Sequence, residues 1–441
     1  MKKKIFIKTF GCQMNEYDSN RILDLVKTVG YSLTKDIKES DCFILNTCHI
    51  REKATDKVYH EIGRVKKEFV GKIKPIILVA GCVAQAEGSE MLKREKYIDG
   101  VVGPQSYHEI PEIIKKIKLQ KKVNHTEFET VEKFDKLNLI KNTNSKISSF
   151  LTIQEGCDKF CHFCVVPYTR GPEHSRSFNE IMLEAKQLVD NGAKEITLIG
   201  QNVNAYQYEQ FKLSDLIKAL ENIDKLLRIR FTTSHPKDMT KDLIKTFGEC
   251  KKLMPVLHLP VQSGSSNILK LMNRKHTIEE YYKIIEELVK TKPNIKFTSD
   301  FIIGYPGETD SDFLQTIDLM KKIKFINSYS FIFSNRPGTP AANLPIVDKE
   351  VSKERLKIFQ GTSNLIKKEY RKKLINADVK VLFENRMKEK NKYFGRDEFL
   401  NSVIVECSDN IDGKIKNVKI LNFNHNTLFG EIIKESKDVA A

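Results

Sequence analysis

The sequence lacks any hydrophobic run that approaches the length of a membrane-spanning helix. Its basic start, MKKK at residues 1–4, is followed by only three apolar residues, IFI, which are too few for the core of a signal peptide. We therefore expect a cytoplasmic protein with no membrane partner. The nine cysteines would then lie in a reducing compartment, where cysteines more often bind metals or take part in catalysis than form disulfides.

Acidic residues are fewer than basic ones, with 58 Asp and Glu against 74 Lys and Arg, and the net charge is +16. This excess favours a polyanionic partner, nucleic acid first, although a solvated lysine-rich surface would have the same composition. The hydrophobic fraction of 40% is ordinary, which excludes broad disorder. A length of 441 residues predicts about three domains.

Three cysteines occupy one short polar loop, directly after the apolar run Phe150–Ile153. They are Cys157, Cys161 and Cys164. This spacing is unlike zinc sites, which usually pair cysteines as CxxC and need four ligands. It suits three irons of a 4Fe-4S cube, in which the fourth iron stays open to another ligand. The alternatives are a zinc site or three cysteines that only pack a core.

Strand and helix patterns alternate over residues 1–118, which predicts a parallel α/β sandwich domain. Cys12, Cys48 and Cys82 each follow one of its first three predicted strands. Because the carboxyl ends of parallel strands meet at one edge, these three thiols are expected to converge and hold a second 4Fe-4S cube. Each of them could instead be an ordinary buried cysteine.

Residues 119–148 lose periodicity and are rich in polar residues, so we interpret them as a linker, with peripheral strands as the alternative. Residues 149–374 alternate again, which predicts a partial (β/α)6 barrel. The six predicted strands are Phe150–Ile153, Glu195–Ile199, Ile229–Thr232, Val256–Leu259, Lys296–Ile303 and Ser328–Phe333.

Polar residues beyond the predicted strand ends are expected to line a cofactor pocket at the mouth of the barrel. They are Gln201, Asn202, Gln262 and Ser263. Arg170 and Arg176, just past the cysteine loop, are candidates to pair with a cofactor carboxylate or an RNA phosphate. Ordinary turns and salt bridges are the alternatives for all of them.

The last part of the chain combines a basic helix, Arg355–Lys373, with an all-β pattern over residues 375–437. Short strands separated by glycine turns predict a small OB-like barrel. Aromatic residues alternate with lysines there, as base stacking and phosphate contacts would require, namely Tyr393, Phe394, Phe399 and Phe423. A capping domain with an aromatic core is the alternative.

Several segments resemble the methylthiotransferase family, and the resemblance covers nearly the whole chain. The segments are GCQMNEYDS at 11–19, NTCHIREKA at 46–54, AGCVAQ at 80–85 and VVPYTRG at 165–171, and the loop with Cys157, Cys161 and Cys164 resembles that of radical S-adenosylmethionine enzymes. The resemblance implies an amino-terminal methylthiotransferase domain, a radical S-adenosylmethionine core and a TRAM-type RNA-binding domain. The segments at 11–19, 80–85 and 165–171 resemble those of the branch that modifies dimethylallyl (isopentenyl) adenosine in tRNA.

That branch implies conversion of N(6)-dimethylallyladenosine at tRNA position 37 to its 2-methylthio derivative. The implied cofactors are two 4Fe-4S clusters and S-adenosylmethionine, and the implied partners are a tRNA anticodon stem-loop and a low-potential electron donor such as a flavodoxin or ferredoxin. Branches that act on threonylcarbamoyladenosine in tRNA or on a ribosomal protein are alternatives. A non-catalytic RNA-binding iron–sulfur sensor is the alternative from a different class.

Overall fold

The computed structural model describes residues 3–48, 54–119, 122–127, 130–138, 140, 146–389 and 391–433. Residues 49–53 of the segment NTCHIREKA and residues 434–437 of the predicted third domain lie outside them. No helix in the described part of the chain combines the length and apolar composition that spanning a bilayer requires.

The amino-terminal domain contains one parallel sheet in the order β2-β1-β3-β4-β5-β6. Its strands are β1 (Lys3–Thr9), β2 (Tyr31–Leu33), β3 (Cys42–Thr47), β4 (Ile76–Gly81), β5 (Gly100–Val102) and β6 (Val123–His125). Its helices are α1 (Gln13–Thr28), α2 (Ala54–Glu68), α3 (Cys82–Arg94), α4 (Ile110–Lys118) and α5 (Thr130–Asn138). Alternate residues of β3 enter two separate hydrophobic cores, one on each face of the sheet. Strands buried on both faces are typical of doubly wound α/β domains.

The linker interpretation of residues 119–148 is wrong for two segments. Strand β6 pairs in parallel with β5 and extends the sheet, and Phe134 and Leu137 of α5 are buried in the same core as α1 and α4. A three-residue edge strand and a nine-residue helix are too short to stand out as periodic patterns among the surrounding polar residues.

The second domain places six parallel strands in two three-stranded sheets, β7-β10-β13 and β14-β15-β16, joined by a parallel bridge between Ile229 and Leu253. The six strands of these sheets are β7 (Ser148–Thr152), β10 (Glu195–Ile199), β13 (Arg228–Phe231), β14 (Val256–His258), β15 (Lys296–Ile303) and β16 (Asn327–Ile332). Four two-residue strands lie outside the two sheets, namely β8 (Gln154–Glu155), β9 (His174–Ser175), β11 (Gln207–Tyr208) and β12 (Phe211–Lys212). Its helices are α6 (Val166–Arg170), α7 (Phe178–Asp190), α8 (Leu213–Glu221), α9 (Lys241–Glu249), α10 (Ser266–Leu271), α11 (Ile278–Thr291) and α12 (Asp310–Ile323). This sequential order is that of the predicted partial barrel.

A long helix, α13 (Lys349–Lys372), leads to a closed five-stranded barrel in the order β17-β18-β19-β21-β20. The strands are β17 (Asp378–Arg386), β18 (Lys392–Arg396), β19 (Ser402–Glu406), β20 (Ile415–Phe423) and β21 (Thr427–Ile432). The α/β fold class with a small carboxy-terminal β-barrel is therefore confirmed. Tyr393, predicted to stack on bases, is buried in the barrel core, and the sequence patterns did not predict its strand β18.

The small barrel docks on β13 through two buried arginines. Arg228 donates to the carbonyl oxygens of Arg396 and Lys380, both at 2.8 Å. Arg230 donates to the carbonyls of Glu398 and Asp397, both at 2.9 Å. Hydrogen bonds from charged donors contribute about 1.5–3 kcal/mol each, so these contacts fix the small barrel against the second domain.

Candidate active site

Cys12, Cys48 and Cys82 lie together at the carboxyl ends of β1, β3 and β4, which are neighbours in the sheet. Cys12 is the N-cap of α1, and Cys82 is the first residue of α3. The order of the strands reverses between β1 and β3, and such a switch point is where doubly wound sheets bind ligands. The structure thus brings these three cysteines to one place, as the strand pattern predicted.

The three thiols influence one another. The pKa of Cys12 is lowered to about 6, first by a hydrogen bond with Cys48 and also by the charge of Arg170, although desolvation of the thiol opposes both. Burial raises the pKa of Cys82, although the positive charge of Arg170 acts in the opposite direction. A thiolate at Cys12 is the form that binds metal.

Close approach of the backbone requires glycine beside this cysteine group. A Cβ atom on Gly11, whose φ is +133°, would lie 2.5 Å from the Cβ of Cys48. Behind the thiols, the Asn46 amide donates to the Asn15 carbonyl at 2.9 Å, and Asn15 Oδ1 accepts a hydrogen bond from Cys12 Sγ at 3.4 Å. These contacts hold the start of α1 against the end of β3.

The loop with Cys157, Cys161 and Cys164 begins at Gly156, whose φ of +75° suits glycine. The Cys157 amide donates to the Gly171 carbonyl at 3.2 Å. At the other end, the His162 amide donates to the Met272 carbonyl at 3.0 Å, so the loop is anchored to the end of α10. Phe160 has a left-handed φ of 46°, and its carbonyl accepts a hydrogen bond from Asn273 at 2.9 Å.

Burial raises the pKa values of Cys157 and Cys164 to about 12. The charges of neighbouring cysteines of the loop contribute to this increase as a smaller cause than burial. Arg274 donates to Cys161 Sγ at 3.5 Å and to the Pro260 carbonyl at 2.5 Å. This cation compensates part of the negative charge that thiolates would bring into the site.

Both cysteine groups fit a 4Fe-4S cluster better than a single metal ion. Among the described residues, no three His, Cys, Asp or Glu side chains are placed to hold one metal ion. A cube does not require such a group, because each thiolate binds a different iron. Three thiols in each group match the donor set of a cluster with one open iron.

Two of the predicted pocket residues lie beside the cysteine loop. Gln201 Oε1 accepts a hydrogen bond from the Gly156 amide at 2.7 Å. The Asn202 amide donates to Glu173 at 3.0 Å and to Asp238 at 2.8 Å. Gln201 thus supports the loop backbone, and Asn202 lies at the same strand end.

The other two predicted residues follow β14. Gln262 has a φ of 78°, and its backbone pairs with Asp300 and Ile302 next to β15. Ser263 Oγ lies 3.4 Å from Thr316 Oγ1 and is 3% exposed, which favours a structural role.

Several buried polar atoms near the barrel mouth have no partner among the described residues. They are Asn202 Oδ1, Ser234 Oγ, His235 Nε2 and His276 Nε2. The rings of His235 and His276 are 5.7 Å apart, edge to face, and burial lowers the pKa of His276 to about 4, so it is neutral at pH 7. Buried polar groups are almost always satisfied, so this group is suited to a polar ligand. His276 and Arg274 follow α10 rather than a strand, so the strand-end argument missed them.

The two arginines past the cysteine loop do not face solvent. Arg176 is 1% exposed and donates to Glu184 at 2.8 Å and to the Thr152 carbonyl at 2.7 Å. Arg170 is 2% exposed and pairs with Asp18 at 3.0 Å. An RNA phosphate therefore cannot reach either guanidinium, and their described partners are side chains and carbonyls of the protein.

Cys12 should be the most reactive cysteine in protein freed of metal. At pH 7.5 its pKa of about 6 leaves mainly thiolate, whereas pKa values of about 12 keep Cys157 and Cys164 protonated. We expect iodoacetamide to label Cys12 first, at a rate that rises between pH 5 and 7 and then levels off. Peptide mass spectrometry of pulse-labelled protein measures this. A rate that still rises beyond pH 8, as for an ordinary thiol, would contradict the assignment.

Comparison with known proteins places this geometry in a family. Residues 151–320 match the model of the radical SAM superfamily, and residues 4–103 match the one described as uncharacterized protein family UPF0004. Among solved structures, the radical S-adenosylmethionine methyltransferase TsrM from Kitasatospora setae has a TM-score of 0.58 at 12% identity, covering 78% of this chain and 77% of its own. The cobalamin-dependent radical enzyme OxsB has a TM-score of 0.53 at 12% identity, covering 82% of this chain and 57% of its own. At such identities the likeness shows the fold.

Sequence relatives cover the whole chain. A protein of Pelagibacter ubique (strain HTCC1062) named tRNA-2-methylthio-N(6)-dimethylallyladenosine synthase is 61% identical and covers 100% of both chains. A protein of the same name from Wolbachia pipientis subsp. Culex pipiens (strain wPip) is 50% identical, covering 97% of this chain and 99% of its own. A third protein of that name, from Ruegeria sp. (strain TM1040), is 47% identical and covers 98% of this chain and 99% of its own. The chain therefore belongs to the radical SAM family of tRNA-2-methylthio-N(6)-dimethylallyladenosine synthases.

Proposed function

We propose that this protein is a radical S-adenosylmethionine methylthiotransferase that acts on tRNA. Its substrate is N(6)-dimethylallyladenosine at position 37 of tRNA, which it converts to the 2-methylthio derivative. The observation that carries this proposal is the presence of two separate three-cysteine groups in one chain, joined to full-length relatives of that name. A single cluster would suffice to cleave the cofactor, and the second group supplies what sulfur transfer requires.

Each cysteine group has a separate task in this proposal. Cys157, Cys161 and Cys164 hold the cluster whose open iron binds S-adenosylmethionine, and Asn202, Ser234 and His235 contribute polar contacts to the cofactor. Cys12, Cys48 and Cys82 hold the second cluster. When bound, the clusters and S-adenosylmethionine supply the one-electron chemistry that attacks an unactivated C–H bond, and the second cluster is the source of the methylthio group.

Helix α6 lies between the two cysteine groups. It begins two residues after Cys164, and its last residue, Arg170, interacts with Cys82. On this helix Tyr168 is 45% exposed, and it meets the 49% exposed ring of Phe160 edge to face at 6.3 Å. Exposed aromatic rings stack on unpaired bases, so this pair supports entry of a flipped adenine here.

A basic pocket between α13 and the β20–β21 turn supports RNA binding. The pocket has a volume of about 320 Å³ and is lined by Asn364, Lys367, Lys368, Arg371, Phe423, Asn424 and His425. Arg371 donates to the Asn424 carbonyl at 2.7 Å and so fixes the turn. Two lysines beside an aromatic ring offer phosphate contacts and a stacking surface. We assign residues 375–433 as a TRAM-type domain that, with α13, binds the anticodon stem-loop.

Neutralising this pocket should weaken RNA binding without touching the clusters. We expect the double variant Lys367→Ala, Lys368→Ala to bind tRNA less tightly and to lower the salt slope of log K by roughly 0.7–0.9 per lost phosphate contact. Fluorescence anisotropy at several salt concentrations measures both quantities. The matched control is Lys353→Ala, an exposed lysine on the same helix paired with Glu350 at 2.7 Å. An unchanged affinity and slope in the double variant would place the RNA surface elsewhere.

The proposal also includes a low-potential electron donor such as a flavodoxin or ferredoxin, and a cytoplasmic location. The non-catalytic sensor is the alternative from another class, and it predicts RNA binding without turnover. Reduced, reconstituted protein incubated with S-adenosylmethionine separates the two. Release of 5′-deoxyadenosine supports the enzyme, and its absence from protein with full iron content would support the sensor.

A further inference from the structure

Four charged side chains are buried where the first domain meets the second. Asp18 and Lys133 come from the first domain, Glu155 and Arg170 come from the second, and none is more than 2% exposed. Arg170 lies 3.0 Å from Asp18 and 3.5 Å from Glu155. Lys133 lies 2.6 Å from Glu155 and 4.0 Å from Asp18. The four charges sum to zero, and each carboxylate faces both cations.

This network connects the supports of the two cysteine groups. Asp18 is on α1, the helix that begins directly after Cys12, and Glu155 precedes Cys157 by two residues. The backbone beside Arg170 continues the connection, because its carbonyl accepts a hydrogen bond from Gln105 at 2.7 Å and the Gly171 carbonyl accepts one from Cys157. A change in the position of Arg170 would therefore alter the supports of both cysteine groups.

Arg170 also faces the sulfur atoms of the first group. Its positive charge lowers the pKa values of both Cys82 and Cys12. The planar guanidinium can donate in several directions at once, here toward two carboxylates, whereas a lysine ammonium has no such fixed fork.

Stability alone does not explain such a network. Desolvating paired charges often costs as much as their attraction returns, and apolar residues of similar volume frequently stabilise a protein as well or better. Asp18 Oδ1 and Glu155 Oε2 lack hydrogen-bond partners among the described residues, which adds to the cost. Directional charge pairs instead fix the helices and loops that carry them in one defined arrangement.

We propose that Arg170, held by Asp18 and Glu155, is a positioning residue that aligns the two cysteine groups with each other. The inference rests on the proposed two-cluster function. Its consequence is that the sulfur source bound by one group faces the substrate carbon presented at the other. Substitution of Arg170 should leave both cysteine groups intact. Cofactor cleavage should then continue, but less methylthio product should form for each cofactor cleaved.

The test compares Arg170→Lys and Asp18→Asn with the wild type as reconstituted full-length protein. Three quantities are measured: iron content, the methylthio product formed per 5′-deoxyadenosine released, and the distance distribution from spin–spin coupling of the two reduced clusters. We expect full iron content, cofactor cleavage within about twofold of wild type and a product ratio lowered at least tenfold, since misplacement by about 1 Å can cost roughly 100-fold. The distance distribution should broaden. The matched control is Glu16→Gln, which breaks an exposed pair of Glu16 and Lys146 at 2.6 Å between the same domains.

Three results would overturn the proposal. The first is an unchanged product ratio in both variants, and the second is an equal loss in Glu16→Gln. The third is loss of iron from the first group in Asp18→Asn, which would make the network a support for cluster assembly. If the wild type makes no methylthio product on tRNA, the proposed function fails by itself, and the coupling measurement still tests the alignment.

Discussion

Replacing Cys157, Cys161 and Cys164 together by alanine is expected to abolish release of 5′-deoxyadenosine from S-adenosylmethionine. The expected loss is complete, because these three cysteines occupy the loop that Gln201 supports at the barrel mouth, whereas Cys12, Cys48 and Cys82 follow strands of the first domain's sheet. Reconstituted iron should fall from about eight to about four atoms per chain, the content of one remaining cube. Chromatography of the reaction and iron analysis of the same sample measure the two effects.

Cys407→Ala provides the control for this triple variant. Cys407 is a half-buried cysteine packed against the core of the small barrel, far along the chain from both groups. It should keep both iron content and cofactor cleavage. A triple variant that still forms 5′-deoxyadenosine would mean that the cofactor-cleaving cluster has been assigned to the wrong cysteines.

Replacing Cys12, Cys48 and Cys82 by alanine should have the opposite pattern. Cofactor cleavage is expected to continue, because the loop with Cys157 is held by its own hydrogen bonds to Gly171 and Met272. Formation of the methylthio product should fall below detection, since no sulfur source remains. The measurement is the ratio of methylthio-adenosine to 5′-deoxyadenosine in one reaction, which separates loss of transfer from loss of radical formation.

Cys42→Ala is the control within the same sheet. Cys42 begins β3 and therefore lies at the edge opposite to Cys48, and burial raises the pKa of its thiol. This variant should still form the product. If the triple variant forms product at a near-normal rate, the convergence of Cys12, Cys48 and Cys82 has another purpose.

The strands of the fold were largely predictable because they are long apolar runs between turns. Strands β10 and β15 have the predicted bounds, Glu195–Ile199 and Lys296–Ile303. Strand β18, with the sequence KYFGR, was missed because its alternating pattern is short and contains glycine. Its burial comes from closure of the barrel between β17 and β19, and single-sequence periodicity carries no information about such pairing.

The candidate site, too, was predictable only in part. The cysteines were found because spacing in the chain and position after strands both encode their convergence. Arg274 contacts Cys161 across 113 positions, and Arg170 contacts Asp18 across 152. Such contacts depend on the packing of whole domains, so the sequence patterns identified Arg170 and Arg176 as residues of interest but could not identify their carboxylate partners, Asp18 and Glu184.

Mass spectrometry of tRNA nucleosides from cells with and without this gene tests the central claim most directly. The account predicts that cells without the gene lack 2-methylthio-N(6)-dimethylallyladenosine and accumulate N(6)-dimethylallyladenosine in its place. The wild-type gene should restore the methylthio nucleoside, and genes with alanine in either cysteine group should not. Unchanged levels of this nucleoside, or loss of the methylthio group only from threonylcarbamoyladenosine, would contradict the account.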